Sequence, residues 1–359
     1  MSTTALASPA DIEEFGRELD RIRDQVTASL GDRDARYIRG IIATQRKLEL
    51  AGRALLFGSW LPPAWVAGTA ALATAKILEN MEIGHNVLHG QWDWMRDPKI
   101  HSTTWEWDVV SPADQWKHSH NFIHHTWTNV LGKDRDIGYS LLRVSPEQPW
   151  HPVYLLQPIY NALLALVFEY GIALYDLEAE RIPAGDKSLK ETWTQLHAIA
   201  GKVRRQIVKD YLAFPLLAGP AGFVPVLLGD LTANLARNVW AHTIIFCGHF
   251  PEGAEVFTED QLEGETRGEW YVRQLLGSCN IDGGRLLHLM SGNLSHQIEH
   301  HLFPDMPSNR YAEIAPRIRA LCDRFGLPYT SGSLARQTGS VYKRILRLAL
   351  PGPRHQHTE

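Results

Sequence analysis

The chain of 359 residues predicts an all-α fold that enters a membrane as four spans in two helical hairpins, with its histidine clusters on the cytosolic side. Three observations predict it. Two long stretches are almost free of charge and each is interrupted near its middle by proline or glycine; basic segments flank both; and histidines gather in short clusters beside their ends. The mean hydropathy of −0.22 hides these stretches, because an average over the chain dilutes local segments.

The first 26 residues, MSTTALASPADIEEFGRELDRIRDQV, are acidic and amphipathic, with Ser8 and Pro9 suited to an N-cap and a first helical position. They lack the basic-then-apolar order of a signal peptide, so residues 1–40 are expected to form a cytosolic helix. From Leu48 to Leu78 the sequence LELAGRALLFGSWLPPAWVAGTAALATAKIL has only Arg53 and Lys76 as charges after Glu49. A helix rises about 1.5 Å per residue and about 20 residues cross a hydrocarbon core of about 30 Å, so this reads as two spans turning near Pro62 and Pro63, the first starting as early as Ile41. Tyr211–Phe250 repeats the design and breaks at GPAG. Arginines in 17–53, together with Lys187, Lys190, Lys202, Arg204, Arg205 and Lys209, place both hairpin bases inside.

Val153–Leu174, VYLLQPIYNALLALVFEYGIAL, is nearly long enough to span. A single crossing there would put the last histidine cluster on the opposite side from the first two, so it is expected to be an interfacial or re-entrant helix. After residue 304, SNRYAEIAPRIRALCDRFG takes Ser308 as its cap and Gly326 as its stop, and the basic amphipathic SVYKRILRLAL is expected on the membrane surface. The division is therefore an N-terminal helix (1–40), a membrane domain (41–304, hairpins near 41–80 and 206–250, interfacial helix near 153–176), cap helices (305–350) and a disordered tail (351–359) with solvated His355 and His357.

A net charge of −4 gives no footprint for nucleic acid. Cys247, Cys279 and Cys322 form no CxxC pair, which excludes a disulfide framework or zinc ribbon and leaves them as small buried hydrophobes. The chemistry lies in the histidines. GHNVLHG supplies His85 and His89, HSHNFIHHTWTN supplies His118, His120, His124 and His125, and SHQIEHHLFP supplies His296, His300 and His301. Residues at i and i+4 share a helix face, and neutral imidazole is a common metal ligand. Three such clusters exceed what one tetrahedral zinc uses and suit a dinuclear site, with iron leading if oxygen chemistry is involved. Polar groups near hydrocarbon are usually functional, which points to a lipid-soluble substrate. The competing class is a membrane protein that transports or senses metal without redox chemistry, although ion carriers place their ligands within the spans.

At these residues the chain resembles the membrane fatty acid desaturase and hydroxylase superfamily. GHNVLH, HNFIHHTWTN and HQIEHHLFP match its three histidine boxes, and the likeness covers roughly 40–330. It implies a four-span desaturase-like architecture whose cytosolic cap holds two iron ions and uses O2 and two electrons to remove hydrogens from an acyl chain. Carried over residue by residue, the metal ligands are His85, His89, His120, His124, His125, His300 and His301. Gln297 stands where many relatives have a histidine, and His296 is an extra neighbour, each a metal ligand or a support to one. The resemblance also implies a histidine near the end of the last span. His249 is favoured over His242, which lies about 10 Å deeper at 1.5 Å per residue; Asn238 is placed to hold a water. Asp134, Asp136 and Glu299 are candidates to orient ligand rings through their second nitrogen. Trp92, Trp94, Trp105 and Trp107 are read as interface anchors or cap core.

No cysteine cluster, Gly-rich flavin fingerprint or haem domain is legible, so electrons are expected from a separate ferredoxin-like or flavin/iron–sulfur reductase, docking on the basic cap. The implied reaction is introduction of a cis double bond into a long-chain acyl-CoA, at a site facing the cytoplasm in a multi-pass protein of the inner cell membrane. Hydroxylation of an acyl or alkane chain by the same ligand set is the alternative.

Overall fold

The computed structural model describes residues 8–352, and these are mostly helical. The expected tail, with His355 and His357, lies outside them apart from its first two residues. Helix α1 (Pro9–Ala28) begins as the sequence requires: Ser8 accepts from the Asp11 amide, the Asp11 carboxylate accepts from the Ser8 amide, and Pro9 occupies the first turn. Its apolar face, Phe15, Leu19 and Ile22, packs into a core completed by Tyr271, Ile298, Leu302, Ile314 and Ile318. This core is the floor of the cap.

Helices α2 (Asp32–Phe57) and α3 (Pro62–Leu78) form the first hairpin, and α3 starts on the proline pair. Their close approach depends on two glycines. A Cβ on Gly52 would lie 2.8 Å from the Leu72 amide nitrogen, and one on Gly68 would lie 3.0 Å from the Gly52 carbonyl. The helix continues past α3 as a wide π turn, Glu79–His85. A second such turn, Lys117–His124, follows α4 (Ala113–Trp116). The stretch expected at the interface is a bent pair, α5 (Gln157–Leu166) and α6 (Phe168–Tyr175). The second hairpin joins α7 (Leu189–Gln206), through a π turn at Ile207–Ala213 and a short helix Phe214–Leu217, to α8 (Gly219–His249). Its tip is Gly219, whose φ of +73° glycine adopts readily.

Among the described residues no single helix is long and apolar enough to cross a membrane. The pair Pro152–Leu166 and Phe168–Tyr175 passes only when joined across its 101° bend. On α8 the physical reason is visible: Asp230, Asn234, Arg237 and Asn238 lower its hydropathy, yet all four are buried against the protein, while Val224, Leu228 and Leu231 face outward.

Helix α9 (Arg267–Leu276), strand β1 (Asn280–Asp282) and helix α10 (Gln297–Leu302) bring the third histidine cluster under the cap. Helix α11 (Tyr311–Phe325) ends at Gly326 in the left-handed conformation, as expected. Ser308 does not cap it. A short 3-10 turn precedes the helix, and the Ser308 hydroxyl donates to Glu82 at 2.7 Å, where Tyr37 and Asn293 also donate. Glu82 thus ties the first hairpin to the cap. Strand β2 (Ser331–Ser333) pairs parallel with β1, a small exception to the all-α reading. Helix α12 (Leu334–Ala349) buries Val341 and Ile345 against the protein and exposes Leu346.

Candidate metal centre

Each histidine cluster sits where a helix changes character. His85 closes the first π turn and His89 follows it; His120 and His124 lie in the second π turn, with His125 next; His300 and His301 occupy one turn of α10; His249 is the last residue of α8. A π turn rotates side chains away from ordinary helical spacing, and such turns are frequent at functional sites.

These eight residues converge. Nitrogens of His85, His89, His120 and His300 lie within 4.8 Å of one another, those of His124, His249 and His301 form a second group, and His125 joins His300 and His301. One side of most rings is fixed by protein. Nδ1 donates from His85 to Asn86 (3.0 Å), from His120 to Asp136 (3.2 Å), from His124 to Asp134 (3.0 Å), from His300 to the Tyr311 hydroxyl (3.2 Å) and from His301 to the Gln274 carbonyl (3.0 Å). The other side has no protein partner: Nε2 of His89, His120, His124, His300 and His301, Nδ1 of His249 and both nitrogens of His125 are buried without a hydrogen bond. Buried polar atoms are normally satisfied, so this many orphaned lone pairs aimed at common centres fit metal ions.

Electrostatics agree. Burial pushes His85 down to about 3 and holds His89, His120, His125, His300 and His301 well below the usual histidine range, with neighbouring imidazoles adding to it. They are neutral at pH 7, the form that binds metal. At His124 burial opposes charge but the Asp134 and Asp136 carboxylates outweigh it and raise the ring to about 9.

Other sequence candidates lie as follows. Gln297 places its amide nitrogen 3.0 Å from Nε2 of His249. His242 is apart from the cage: its Nε2 bonds Asn161 at 3.1 Å and its ring stacks on Phe246. Asn238 donates to the Leu166 carbonyl. His296 stacks on His288, and its Nδ1 is 3.8 Å from Glu299. Glu299 orients none of the caged rings; its carboxylate accepts from Asn280 (2.9 Å) and Tyr329 (2.7 Å), tying α10 to β1 and to the loop before β2. His118 is exposed against Phe122. All three cysteines are buried and free.

Asn86, Gln274 and Tyr311 were not legible as ring partners. Asn86 lies inside a box, beside His85, which is the signal that could mark it; Gln274 and Tyr311 carry no local signal. Trp92 is core, as expected, but Trp107 and Trp116 line a cavity that opens onto His85 and His120. Its exposed lining is mostly apolar surface, contributed by side chains that include Met81, Phe168, Ile172, Ala241 and Ile245. Asp176 borders it, accepting from Ser111 and Ser119 at 2.6 Å, and so anchors α6 beside His120.

Residues 59–333 match the family model for fatty acid desaturase. The chain is 51% identical over 345 residues to the NADPH-dependent stearoyl-CoA 9-desaturase of Mycobacterium tuberculosis, covering 95% of this chain and 81% of that protein. It is 27% identical over 280 residues to the sn-1 linoleoyl-lipid 6-desaturase of Synechocystis sp., 77% of each. Fatty acid desaturase 3 of Homo sapiens is 25% identical over 293 residues, 77% of this chain and 59% of that one.

Proposed function

The chain belongs to the fatty acid desaturase family, and from that premise we propose that it is an oxidoreductase introducing a cis double bond into a long-chain acyl-CoA, with O2 and two externally supplied electrons. The observation that carries the reading is the convergence of unpartnered histidine nitrogens at the end of an apolar cavity. His85, His89, His120, His124, His125, His249, His300 and His301 would hold two iron ions. Iron bound there supplies the oxidising power from O2 that an unactivated methylene C–H bond requires and that no acid or base side chain has.

The chain's own residues do the rest. Asn86, Asp134, Asp136, Tyr311 and Gln274 each hold one Nδ1–H, which fixes the tautomer and aims Nε2 inward. The apolar walls orient the acyl chain and exclude water. Two hydrogens leave the substrate, and with two electrons and two protons they reduce O2 to two waters. The electrons come from a separate reductase fed by a nicotinamide, in keeping with the NADPH dependence of the mycobacterial relative.

Membrane association is the family's general habit. We place both hairpins in the inner membrane, entered from the cytoplasm. Trp60, Leu61 and Val66 at the first tip and Leu216, Leu217 and Val224 at the second are exposed, and lipid would cover them. Reporter fusions after Pro62 and Pro220 should read outside and one after Glu180 inside; an outside reading at Glu180 breaks this topology.

The deciding experiment expresses the chain with a ferredoxin and its reductase and supplies deuterated saturated acyl-CoAs. Loss of two deuteriums without oxygen incorporation is expected. A hydroxylated main product would replace desaturation with hydroxylation, and one zinc without iron in protein that turns over would end the di-iron reading.

A further inference from the structure

The cavity has a direction. Along α8 its wall runs from His249 at the cage to Asn238 eleven residues earlier, about 16 Å at 1.5 Å per residue. Helix α6 runs the same way, from Asp176, bonded beside His120, to Glu169. The walls between include Phe168, Ile172, Ala241 and Ile245, and at the end away from the cage the lining includes Glu169 and Asn238. Glu169 is paired with Arg237 of α8, both almost fully buried. Behind them Gln206 donates to both Glu169 oxygens at 3.0 and 3.1 Å, and the Tyr170 hydroxyl donates to Gln206 at 2.7 Å.

We propose that the Glu169–Arg237 pair is the floor of the acyl cavity and sets the longest chain that the enzyme accepts. This rests on the desaturase reading and names what limits its substrate. A methyl terminus pushed onto Glu169 would strip solvent from a carboxylate and offer it no hydrogen bond, which is unfavourable. The pair cannot swing aside, because Gln206 and Tyr170 hold it from α7 and α6. Stability alone does not explain an ion pair at this depth, since buried pairs are often replaced by apolar residues of like volume without loss. With Glu169 facing the cavity and Arg237 holding its charge, the pair gives what leucines would not: an end that an alkyl chain avoids.

The test replaces both partners, Glu169→Leu with Arg237→Leu, so that neither charge is left alone. Membranes containing wild type or double variant receive the electron donors and a mixture of saturated acyl-CoAs of increasing length. The readout is the ratio of product from chains beyond the wild-type limit to product from the preferred chain. A ratio within one preparation does not depend on how much protein folds. It should rise roughly tenfold or more, the discrimination that a methylene-sized change in a pocket brings. An active double variant with an unchanged ratio overturns the proposal. Should the double variant not fold, Asn238→Phe keeps the pair and raises the floor. The limit should then shorten, and an unchanged limit overturns the proposal as well. Wild type that desaturates no chain would instead bring down the reading on which this one rests.

Discussion

Two buried polar regions lie in the same helical bundle and are built on opposite principles. In the histidine cage His120, His124, His300 and His301 each have one nitrogen tied to the protein and the other left without a partner. In the hairpins, Arg53 bonds Asp210 (2.8 Å), Asp230 (3.3 Å) and Glu49 (3.1 Å), and Lys76 bonds Asp210 (2.8 Å). Within that network every cation is paired, and only one oxygen of Asp230 lacks a partner. A closed charge network holds helices together. An open set of imidazole nitrogens converging on common centres is a site built for a ligand. The difference teaches that burial and polarity do not mark function by themselves; unsatisfied geometry does.

The largest expected effects come from moving one residue between these classes. His249 and His242 are seven residues apart on α8, yet one joins the cage and the other bonds Asn161. His249→Ala should abolish turnover and lower iron per chain. His242→Ala should keep its iron and part of its activity, and lose about 1–3 kcal/mol of stability as Asn161 is left unpaired. Metal analysis beside activity assays on both variants checks this, and equal, complete losses would erase the distinction drawn here.

The charge network gives the reverse signature. Arg53→Met leaves Asp210 and Asp230 buried with fewer counter-charges, so stability should fall by about 3–5 kcal/mol, while iron per folded chain stays at the wild-type level. Thermal unfolding in detergent and iron per folded protein separate the two quantities. A proportional loss of iron would join the two regions that the comparison keeps apart.

Much of this was readable from the sequence, and the parts that were not share a cause. Apolar runs broken at Pro62–Pro63 and at GPAG located both hairpins, Ser8–Pro9 started α1 and Gly326 stopped α11, because these signals are local. The box spacing pointed to seven of the eight caged histidines, and the expected histidine at the end of the last span pointed to His249. The π turns at Glu79–His85 and Lys117–His124 were invisible, since the same residue types also make α-helix. So were the bend between α5 and α6 and the pairing of β1 with β2, 51 residues apart. Partners across the fold were the hardest: Ser308 reads as a cap until Glu82 is seen beside it, and nothing near Gln274 announces His301.

A smaller effect is expected where a carboxylate holds a ligand ring. Asp134 accepts from His124 and also from the amides of Asn129 (2.7 Å) and Asp136 (2.9 Å), so its position is fixed by the backbone. Asp134→Asn keeps the shape but weakens the acceptor. Partners of this kind are typically worth about 10–100-fold in metal affinity or activity. Iron retention against a chelator should fall in that range, short of the loss at His249.

The smallest effect should be at Glu299, which directly precedes the caged His300 and His301 in the chain and is fully buried. By sequence it ranks with Asp134; by contact it does not, because its oxygens accept from Asn280 and Tyr329. Burial raises its pKa, and the amide of Glu299→Gln keeps the side chain's shape while removing its charge. Gln keeps one acceptor oxygen for Tyr329 or Asn280 and loses the other, a change of about 1 kcal/mol in stability. Iron content, chelator resistance and turnover should match wild type. A tenfold fall in chelator resistance at Glu299→Gln would mean that α10 transmits strain from this carboxylate to His300, and that bonding to a ring is not what separates the carboxylates that tune the cage from those that only hold the helix.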